Sequence, residues 1–359
     1  CFSRPTAYAV RWRPRVPGEH RRSNMSLRGV RVLVTGAGGF IGSHLVRYLK
    51  AEGCWVRGVD IKEPEFGPTE ADEFELLDLR RWENCVRATR SVNEVYALAA
   101  DMGGMGFISS NHSRIMHNNG LIDIHTLEAA RQSGVRRYLF TSSACVYPEH
   151  LQEDTAVQPL REQDAYPAQP QDAYGWEKLF IERLCAHYRE EQHLDVRIVR
   201  FHNIFGPYGT WDGGREKAPA ALCRKVAHAK LIEDPVVEIW GDGEQTRSFC
   251  YIDDCTEGLH RLMRSGYTEP LNLGQDRMVS INELADLIAR IADYPIEKIH
   301  IPGPQGVRGR NSDNTRLREV LGWEPRIPLE VGLHHTYSWI EEQVAERLRA
   351  SRQPLAKPA

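Results

Sequence analysis

Short apolar runs alternate with longer amphipathic stretches through the first half of the chain. The first run, Val-Arg-Val-Leu-Val, occupies residues 30–34, and a long amphipathic stretch follows it to about residue 50. Runs of this length that are rich in branched residues predict buried strands, and the amphipathic stretches predict helices. Further strands are predicted at residues 54–60, 74–78, 94–100, 137–141 and 195–201. Regular alternation of this kind predicts an α/β fold with a doubly wound parallel sheet.

The second half of the chain departs from this alternation. Glycine-rich loops at residues 213–219, 240–249 and 303–312 are interleaved with predicted helices. We therefore expect a Rossmann-type domain over residues 28–202, with segments returning to it from the C-terminal half. Residues 203–347 are predicted to form mainly a smaller α/β lobe that binds the substrate.

The two ends of the chain differ from the rest. The first 24 residues contain six arginines, one acidic residue and three prolines, and Met25 lies just before the first predicted strand. An Arg-rich segment poor in acids is typical of a transit-type leader, but upstream or fragmentary sequence would give the same composition. We expect residues 1–27 to be a disordered basic leader and residues 348–359 to be a flexible tail.

Composition and charge exclude several classes of function. The chain has 359 residues, is 41% hydrophobic and carries a net charge of -3, so nothing in its overall charge favours nucleic acid or a membrane surface. Its apolar runs are too short to span a bilayer. The eight cysteines form no C-x-x-C pair, which argues against a disulfide framework and a structural metal site. These features predict a protein of the reducing cytoplasm that binds no metal.

A glycine-rich turn follows the first predicted strand and leads into the first helix. A strand, a glycine turn and a helix in this order let the backbone approach a pyrophosphate, which the helix N-terminus then stabilises. The spacing of the glycines is typical of extended short-chain dehydrogenases. The residues predicted to bind a dinucleotide here are Gly36, Gly38, Gly39, Phe40, Ile41 and Gly42.

Two acidic residues at strand ends complete the predicted cofactor site. Asp60 ends the second strand, where a carboxylate accepts hydrogen bonds from a ribose diol and repels a 2′-phosphate, so we expect NAD and not NADP. Asp78 ends the third strand, where it is placed to meet the polar edge of the adenine ring or simply to cap a helix.

The sequence Tyr174-Gly-Trp-Glu-Lys178 places a phenol and an ammonium group four residues apart, on one face of a predicted helix. A cation near the phenol favours the phenolate, so we expect Lys178 to lower the pKa of Tyr174 and to hold the cofactor ribose. Ser143 follows the fifth strand and supplies a hydroxyl to the same site. The three residues predict hydride transfer, in which Tyr174 accepts the hydroxyl proton of the substrate.

Basic residues stand in or beside the glycine-rich loops of the second half. Guanidinium groups among glycines suit a diphosphate, because they donate paired hydrogen bonds where the backbone comes close. As a set they favour a nucleotide-sugar site. These residues are Lys217, Lys225, Arg247, Arg308 and Arg310.

Several longer motifs resemble the GDP-mannose 3,5-epimerase family of extended short-chain dehydrogenases, over about residues 28 to 345. They are Met102-Gly-Gly-Met-Gly-Phe107, Ser143-Ala-Cys145, Gln171-Asp-Ala-Tyr-Gly175, Arg200-Phe-His-Asn-Ile204, Gly213-Gly-Arg-Glu-Lys-Ala-Pro-Ala220 and Gly306-Val-Arg-Gly-Arg-Asn-Ser-Asp-Asn314. The resemblance implies conversion of GDP-mannose to GDP-L-galactose, with GDP-L-gulose as a side product, and a role in ascorbate biosynthesis.

The resemblance also implies roles for individual residues. Tyr174 and Lys178 serve a transient oxidation at C4 by bound NAD, and Cys145 and Lys217 form the acid/base pair that inverts C5 and C3. Arg308 is expected to contact the diphosphate. The full set of implied substrate contacts is Gly103, Ser143, Ala144, Cys145, Asn203, Glu216, Lys217, Ala218, Lys225, Gln245, Thr246, Arg247 and Arg308.

Three alternatives remain open at this point. A UDP-hexose 4-epimerase needs no second acid/base pair, and a GDP-mannose 4,6-dehydratase normally has an acidic residue where Cys145 stands. A non-catalytic NAD-binding regulator would have no need of Ser143, Tyr174 and Lys178 together. The long helices predicted at residues 111–133 and 172–191 resemble those of the homodimer interface in this superfamily, so we expect a homodimer.

Overall fold

The structure is a computed structural model that describes residue 27 and residues 29–352. Most of the predicted leader and residues 353–359 of the predicted tail lie outside the described residues. Residues 348–352, also assigned to the tail, instead continue the last helix.

Fourteen strands form one large sheet and three small ones. In chain order they are β1 Arg31–Thr35, β2 Trp55–Asp60, β3 Glu73–Leu76, β4 Glu94–Ala97, β5 Arg137–Ser143, β6 Asp195–Phe201, β7 Ile204–Phe205, β8 Val236–Trp240, β9 Thr246–Ser248, β10 Cys250–Tyr251, β11 Pro270–Leu273, β12 Met278–Ser280, β13 Glu297–Ile301 and β14 Gly309–Arg310. These bounds apply to the part of the chain that the structure describes.

The large sheet has seven parallel strands in the order β11-β6-β5-β4-β1-β2-β3. The strand order reverses direction between β1 and β4, which is where ligands bind in folds of this type. The predicted doubly wound parallel sheet is therefore confirmed. Strand β11 comes from the C-terminal half of the chain and extends the edge formed by β6.

The helices cover both faces of this sheet and build the second lobe. They are α1 Phe40–Ala51, α2 Trp82–Thr89, α3 Met105–Ile108, α4 His112–Gln132, α5 Ala173–Gln192, α6 Ala218–Ile232, α7 Ile252–Arg264, α8 Ile281–Ala292, α9 Thr315–Leu321 and α10 Leu329–Arg352, with short 3-10 helices at Ala144–Val146, Glu149–Leu151 and Glu162–Ala165. Helices α6, α8 and α10 pack together in the lobe.

Three strand ends differ from the prediction. Strand β3 ends at Leu76, so Asp78 lies two residues beyond it. Strand β4 ends at Ala97, three residues early, because the next two backbone N–H groups both donate to Thr35 Oγ1, at 3.1 Å each. Strand β5 runs two residues further than predicted, because its pairing with β6 continues as far as Ser143 opposite Phe201. The differences at β4 and β5 bring side chains to the carboxyl edge of the sheet.

The second lobe contains two small sheets that matter for the site. Strands β8 and β13 pair in parallel, and strands β12, β9 and β14 form a three-stranded sheet in that order. Within the described residues, no helix is long and apolar enough to cross a membrane.

Candidate active site

The glycine turn between β1 and α1 has no room for larger side chains. A Cβ atom on Gly42 would lie 2.0 Å from the carbonyl oxygen of Gly36, and one on Gly38 would lie 2.3 Å from the carbonyl oxygen of Lys62. An open pocket borders this turn and is lined in part by Gly38, Gly39 and Phe40. Helix α1 begins at Phe40, after the N-cap Gly39, so its free N–H groups face the turn. This cradle fits the pyrophosphate of NAD.

The two predicted acidic residues behave differently. Asp60 lies against the glycine turn, where its carboxylate accepts hydrogen bonds from the N–H groups of Gly38 at 2.9 Å and of Ile61 at 2.7 Å. Burial raises its pKa above the ordinary value, although these hydrogen bonds oppose the shift. Asp78 instead pairs with Arg80 at 2.7 Å, and that hydrogen bond lowers its pKa. The position of Asp60 suits a ribose, while the adenine contact of Asp78 stays a prediction.

Helix α5 carries the predicted tyrosine and lysine, and its start is fixed against the end of β5. The Asp172 carboxylate caps the helix by accepting the N–H of Gly175 at 2.8 Å. A Cβ atom on Gly175 would lie 2.1 Å from the carbonyl oxygen of Cys145, so only glycine allows this contact. Tyr174 is therefore held beside the Cys145 segment.

Lys178 lowers the pKa of Tyr174, as predicted, but the net shift is upward. Tyr174 is 6% exposed, and burial raises its pKa above the ordinary tyrosine value. The Lys178 ammonium, 5.8 Å from the tyrosine ring centroid, and a hydrogen bond with Ser143 pull the pKa downward but do not overcome burial. The four-residue spacing indicates that a cation lies near the phenol, but it does not show that the tyrosine is buried away from water.

Lys178 has two acidic neighbours that the sequence did not reveal. Its ammonium lies 3.0 Å from Asp123 in α4 and 3.7 Å from Glu177. All three side chains are almost completely buried. Burial alone would lower the pKa of Lys178, but the two carboxyl groups outweigh it and raise that pKa. Asp123 lies 55 positions from Lys178 in the chain, so no local motif indicated the contact.

Cys145 lies two residues beyond β5, in a 3-10 turn capped by Ser143. The backbone N–H of Cys145 donates to Ser143 Oγ at 3.1 Å. The thiol is half-buried and packs with a cluster that includes Tyr174 and Phe107. Arg310 donates from Nη1 to Cys145 Sγ at 3.3 Å. The structure thus supplies the neighbouring cation that a reactive thiol needs, although Arg310 was predicted only as an anion contact.

Arg310 and Arg247 lie side by side on neighbouring strands. In the parallel pair β14 and β9, Arg310 is the register partner of Arg247. Arg247 donates to the carbonyl oxygens of Thr246 at 2.7 Å and Val307 at 2.6 Å. Burial lowers the pKa of Arg247 to about 9, and Arg310 acts in the same direction. Two adjacent guanidinium groups that repel each other form a site for a multiply charged anion.

Lys217 is the N-cap residue of α6 and belongs to the loop that starts at Gly213. Lys217 is exposed by its accessible surface, but neighbouring protein atoms displace part of the water around its ammonium group. The resulting loss of water lowers its pKa; Cys145 and Cys255 oppose this shift, and Arg310 adds to it. Lys217, Cys145 and Arg310 therefore act on one another electrostatically within one corner of the cleft.

The Lys217 loop is joined to the loop that follows β4. The backbone N–H of Gly104 donates to the carbonyl oxygen of Arg215 at 3.0 Å. The Arg215 guanidinium also lies 3.9 Å from the centroid of the Phe107 ring and 3.4 Å from Asp101. The segment after β4 is therefore partly helical, as α3, and is tied to the residues just before Lys217.

Several other predicted substrate contacts lie around this corner. Gly103 and Ala144 are buried, and Ala218 is the first residue of α6. Asn203 adopts a left-handed conformation with φ of 45° and donates to the carbonyl oxygen of Ser248 at 2.9 Å. The Glu216 carboxylate is bound by Arg224 at 3.0 Å. Their contacts with a substrate stay predictions.

The remaining predicted contacts lie in the lobe. Lys225 donates to the carbonyl oxygen of Glu238 at 2.7 Å, and Thr246 Oγ1 donates to the carbonyl oxygen of Thr155 at 2.6 Å. Gln245 is buried, and its side-chain oxygen has no hydrogen-bond partner among the described residues. Arg308 forms a two-point ion pair with Asp242, at 2.9 and 3.0 Å. The structure therefore brings Arg310, and not Arg308, to the Cys145 corner.

A buried polar network supports the end of β5 from below. Ser142 donates to Glu182 Oε1, and Glu182 forms a buried ion pair with Arg200 at 2.6 Å. Arg200 also donates to Tyr147 Oη at 3.2 Å, and Tyr147 donates to Asn272 in β11 at 2.6 Å. This network holds the strand end that carries Ser143 and Cys145. Among the described residues, no cluster of His, Cys, Asp and Glu is able to hold a metal ion.

Comparison with known proteins places this geometry in context. Residues 32–274 match the family described as the NAD dependent epimerase/dehydratase family. The chain is 55% identical over 317 residues to GDP-mannose 3,5-epimerase 1 of Oryza sativa subsp. indica. The matched region makes up 88% of this chain and 82% of that protein. It is 53% identical over 317 residues to GDP-mannose 3,5-epimerase of Arabidopsis thaliana, covering 88% of this chain and 83% of that protein.

Among solved structures, the UDP-glucose 4-epimerase of Thermotoga maritima with UDP-glucose is similar, with a TM-score of 0.78 and 27% identity. The match covers 88% of this chain and 99% of that one. The fold is thus shared with an epimerase whose structure contains UDP-glucose. The sequence identity is much higher to the two plant proteins than to this epimerase.

Proposed function

The chain belongs to the NAD dependent epimerase/dehydratase family, and from this premise we propose that it is a GDP-mannose 3,5-epimerase. The enzyme converts GDP-mannose to GDP-L-galactose and releases GDP-L-gulose as a side product. The observation that carries the proposal is the corner formed by Cys145, Lys217 and Arg310 beside Tyr174, in a chain that is 55% identical to a plant GDP-mannose 3,5-epimerase.

NAD, when bound, would supply the hydride acceptor at C4 of the hexose and the donor that restores that hydride. Tyr174 accepts the proton of the C4 hydroxyl in the first step and gives it back in the last. The Ser143 hydroxyl acts on the phenol and lowers its pKa, and Lys178 supplies positive charge behind it. The Gly36 to Gly42 turn and Asp60 are the residues that would hold the cofactor. No net oxidation of the substrate results.

The ketone at C4 makes the protons at C3 and C5 acidic, because each carbanion is stabilised as an enolate. Inverting a carbon requires one group that removes the proton from one face and a second that delivers a proton to the other. Cys145 and Lys217 serve as this pair. One member removes a proton from the carbon while the other, still protonated, delivers a proton to the opposite face. The lowered pKa of Lys217 lets it change between ammonium and amine, and Arg310 donates a hydrogen bond to Cys145 Sγ that holds the thiol in place.

The diphosphate of GDP-mannose is proposed to bind at the paired guanidinium groups. Arg247 and Arg310 are register partners on β9 and β14, and an anion between them would relieve their mutual repulsion. Arg308 and Lys225 remain proposed contacts at the edge of this site. Arg308 would have to exchange its ion pair with Asp242 for one with the substrate.

The alternatives now differ in what supports them. A 4,6-dehydratase would need an acidic residue in place of Cys145, and a simple 4-epimerase gives no reason for Lys217 and Arg310 to converge on the thiol. A non-catalytic regulator gives no reason for the intact Ser143, Tyr174 and Lys178 set. We therefore retain the 3,5-epimerase as the proposed function.

We also propose that the protein is a homodimer. Helices α4 and α5 pack side by side and expose large apolar side chains on their outer surface. Met116 and Ile124 in α4 are 46% and 37% exposed, and Trp176 and Phe180 in α5 are 45% and 54% exposed. An exposed apolar face on two long helices suits pairing with the same face of a second copy.

The compartment and the pathway remain proposals. The seven cysteines in the described part of the chain are all free thiols, which supports a reducing compartment such as the cytoplasm. A place in ascorbate biosynthesis depends on the proposed product and stays a prediction.

One experiment tests the proposed function directly. The protein is incubated with GDP-mannose and NAD in D2O, and the products are identified by NMR. We expect GDP-L-galactose and GDP-L-gulose, with deuterium at C5 and C3. UDP-glucose under the same conditions is the control for a 4-epimerase. Inversion at C4 alone, loss of water to a 4-keto-6-deoxy sugar, or no turnover of GDP-mannose would each refute the proposal.

A further inference from the structure

Three ionisable side chains lie together beneath the tyrosine. Lys178 Nζ is 3.0 Å from Asp123 Oδ2 and 3.7 Å from Glu177 Oε1. Lys178 and Asp123 are 2% exposed, and Glu177 is 3% exposed. One ammonium group thus faces two carboxyl groups in a space from which water is excluded.

The charges of this cluster balance only in one arrangement. Burial penalises net charge strongly, so one ammonium and one carboxylate form a neutral pair, while a second carboxylate would leave an uncompensated negative charge. Asp123 makes the shorter contact and a hydrogen bond with Lys178. Glu177 is the more distant carboxyl, and its Oε1 atom is buried with no hydrogen-bond partner in the described part of the chain. Glu177 is therefore the group that holds a proton.

The pKa of Glu177 agrees with this geometry. Burial raises its pKa to about 8; Lys178 opposes the shift and the Asp123 carboxylate reinforces it. The Glu177 Oε2 atom accepts a hydrogen bond from Asn119 at 3.4 Å. The neutral acid is thus the main form of Glu177 at neutral pH.

The other groups packed around the cluster do not supply a balancing charge. Strand β5 contributes the Phe140 ring, 4.8 Å from the Lys178 ammonium, and Tyr138. Helix α5 contributes Cys185, and burial raises the pKa values of Tyr138 and Cys185 far above neutral. The remaining titratable neighbour is Tyr174, whose phenolate would feel any charge on Glu177.

We propose that Glu177 is a positioning residue whose protonated state is required for Tyr174 to ionise. Asp123 balances Lys178, and the cluster then accepts only one further negative charge, on Tyr174 or on Glu177. The role of Tyr174 as the proton acceptor rests on the proposed function; the proton on Glu177 does not.

Isosteric variants separate the two carboxyl groups. Glu177→Gln replaces the carboxyl group with an amide that does not ionise, so no negative charge at residue 177 competes with the Tyr174 phenolate. Asp123→Asn leaves Glu177 as the carboxyl group beside Lys178, and Glu177 should then ionise at lower pH, because the negative charge that raised its pKa is gone. Glu128→Gln is the matched control: this residue lies on α4, and a hydrogen bond from Arg131 lowers its pKa to about 2, so it carries no proton at neutral pH.

Infrared difference spectroscopy of the whole protein between pH 7 and pH 9 tests the proton on Glu177. We expect a carbonyl stretch of a buried protonated carboxyl at pH 7 that disappears with an apparent pKa near 8. The band should be absent in Glu177→Gln, unchanged in Glu128→Gln and lost at lower pH in Asp123→Asn. A band that persists in Glu177→Gln, no band in the wild type, or an unmoved titration in Asp123→Asn would overturn the proposal.

The pH dependence of turnover tests the competition with Tyr174. With GDP-mannose as substrate, we expect the activity of the wild type to fall above pH 8, which forms the alkaline limb of its pH profile. Glu177→Gln should move the midpoint of this alkaline limb to higher pH by about one unit. Combining Glu177→Gln with Asp123→Asn leaves Lys178 without a carboxylate, and should cost about tenfold more activity than the product of the single losses. An unmoved limb would refute the competition. If the wild type does not act on GDP-mannose, the proposed function fails, while the infrared result still decides the state of Glu177.

Discussion

Tyr174 with Lys178 and Cys145 with Lys217 are the two pairs of the site, and they are built differently. The first pair belongs to one helix and is almost entirely buried, at 6% and 2% exposed. The second pair comes from segments 72 residues apart, and its members remain half-buried or exposed. Lys178 of the first pair faces two buried carboxyl groups, whereas Cys145 of the second accepts a hydrogen bond from the cation Arg310.

This difference matches the two chemical tasks. A hydride returned to the carbon it left requires a fixed proton acceptor, and a buried helix provides one. Inversion at two carbons requires groups that reach opposite faces of the sugar, and separate loops allow this.

Tyr174→Phe should cause the largest loss. Without the phenol, no group accepts the C4 proton, so turnover should fall by about a thousandfold. Deuterium uptake at C3 and C5 should fall equally, because it requires the ketone. The measurement is NADH absorbance and NMR after mixing with GDP-mannose. Tyr138→Phe, at a buried tyrosine without a hydrogen-bond partner among the described residues, is the control and should stay near wild type. Normal turnover by Tyr174→Phe would show that another group takes the proton.

Cys145→Ala and Lys217→Ala should each stop proton exchange and leave oxidation at C4 intact. We expect about a hundredfold slower deuterium uptake at C3 and C5, with unchanged NAD binding. Lys230→Ala is the control for Lys217→Ala. Lys230 lies in α6, the helix that Lys217 caps, and its ammonium group pairs with Glu341. Undiminished exchange in either variant would remove that residue from the acid/base pair.

Arg310→Gln should slow exchange moderately. The guanidinium donates a hydrogen bond to Cys145 Sγ, and without that contact the thiol is less well positioned, so deuterium uptake at C3 and C5 should fall by about tenfold. The measurement is the exchange rate at saturating GDP-mannose, with Arg318→Gln in α9 as the control. An unchanged rate at saturation would mean that Arg310 serves binding alone.

Arg308→Ala should have the smallest effect. Arg308 is about one-third exposed and already paired with Asp242, so its loss should raise KM by about threefold and change kcat less. Steady-state kinetics with GDP-mannose measures both constants. Asp242→Asn, which frees Arg308 from its ion pair, should not raise KM. A fall in kcat larger than the rise in KM would contradict a binding role for Arg308.

The sequence predicted the parts of the site that depend on local geometry. The glycine turn, Asp60 and the Tyr174 helix follow from short motifs, because strands, turns and helices place residues at fixed spacings. Asp123 was missed, since its contact with Lys178 depends on how α4 packs against α5. Which arginine of this motif lies against the Cys145 thiol depends on strand register, which spacing alone does not reveal, and the contact of Arg308 with the diphosphate stays a prediction.

What the sequence determined by itself is the order of strands and helices, the cofactor turn and the residue types of the chemistry, because each depends on neighbours within a few positions. Only the tertiary structure decided which charged groups contact each other and how far each of them is exposed to water. It placed Arg310 on the thiol of Cys145, tied the Lys217 loop to the loop after β4, and buried Tyr174 so deeply that the loss of water outweighs the lowering of its pKa by Lys178. Electrostatic energies depend on burial and on contacts between distant segments, and neither is encoded in local spacing.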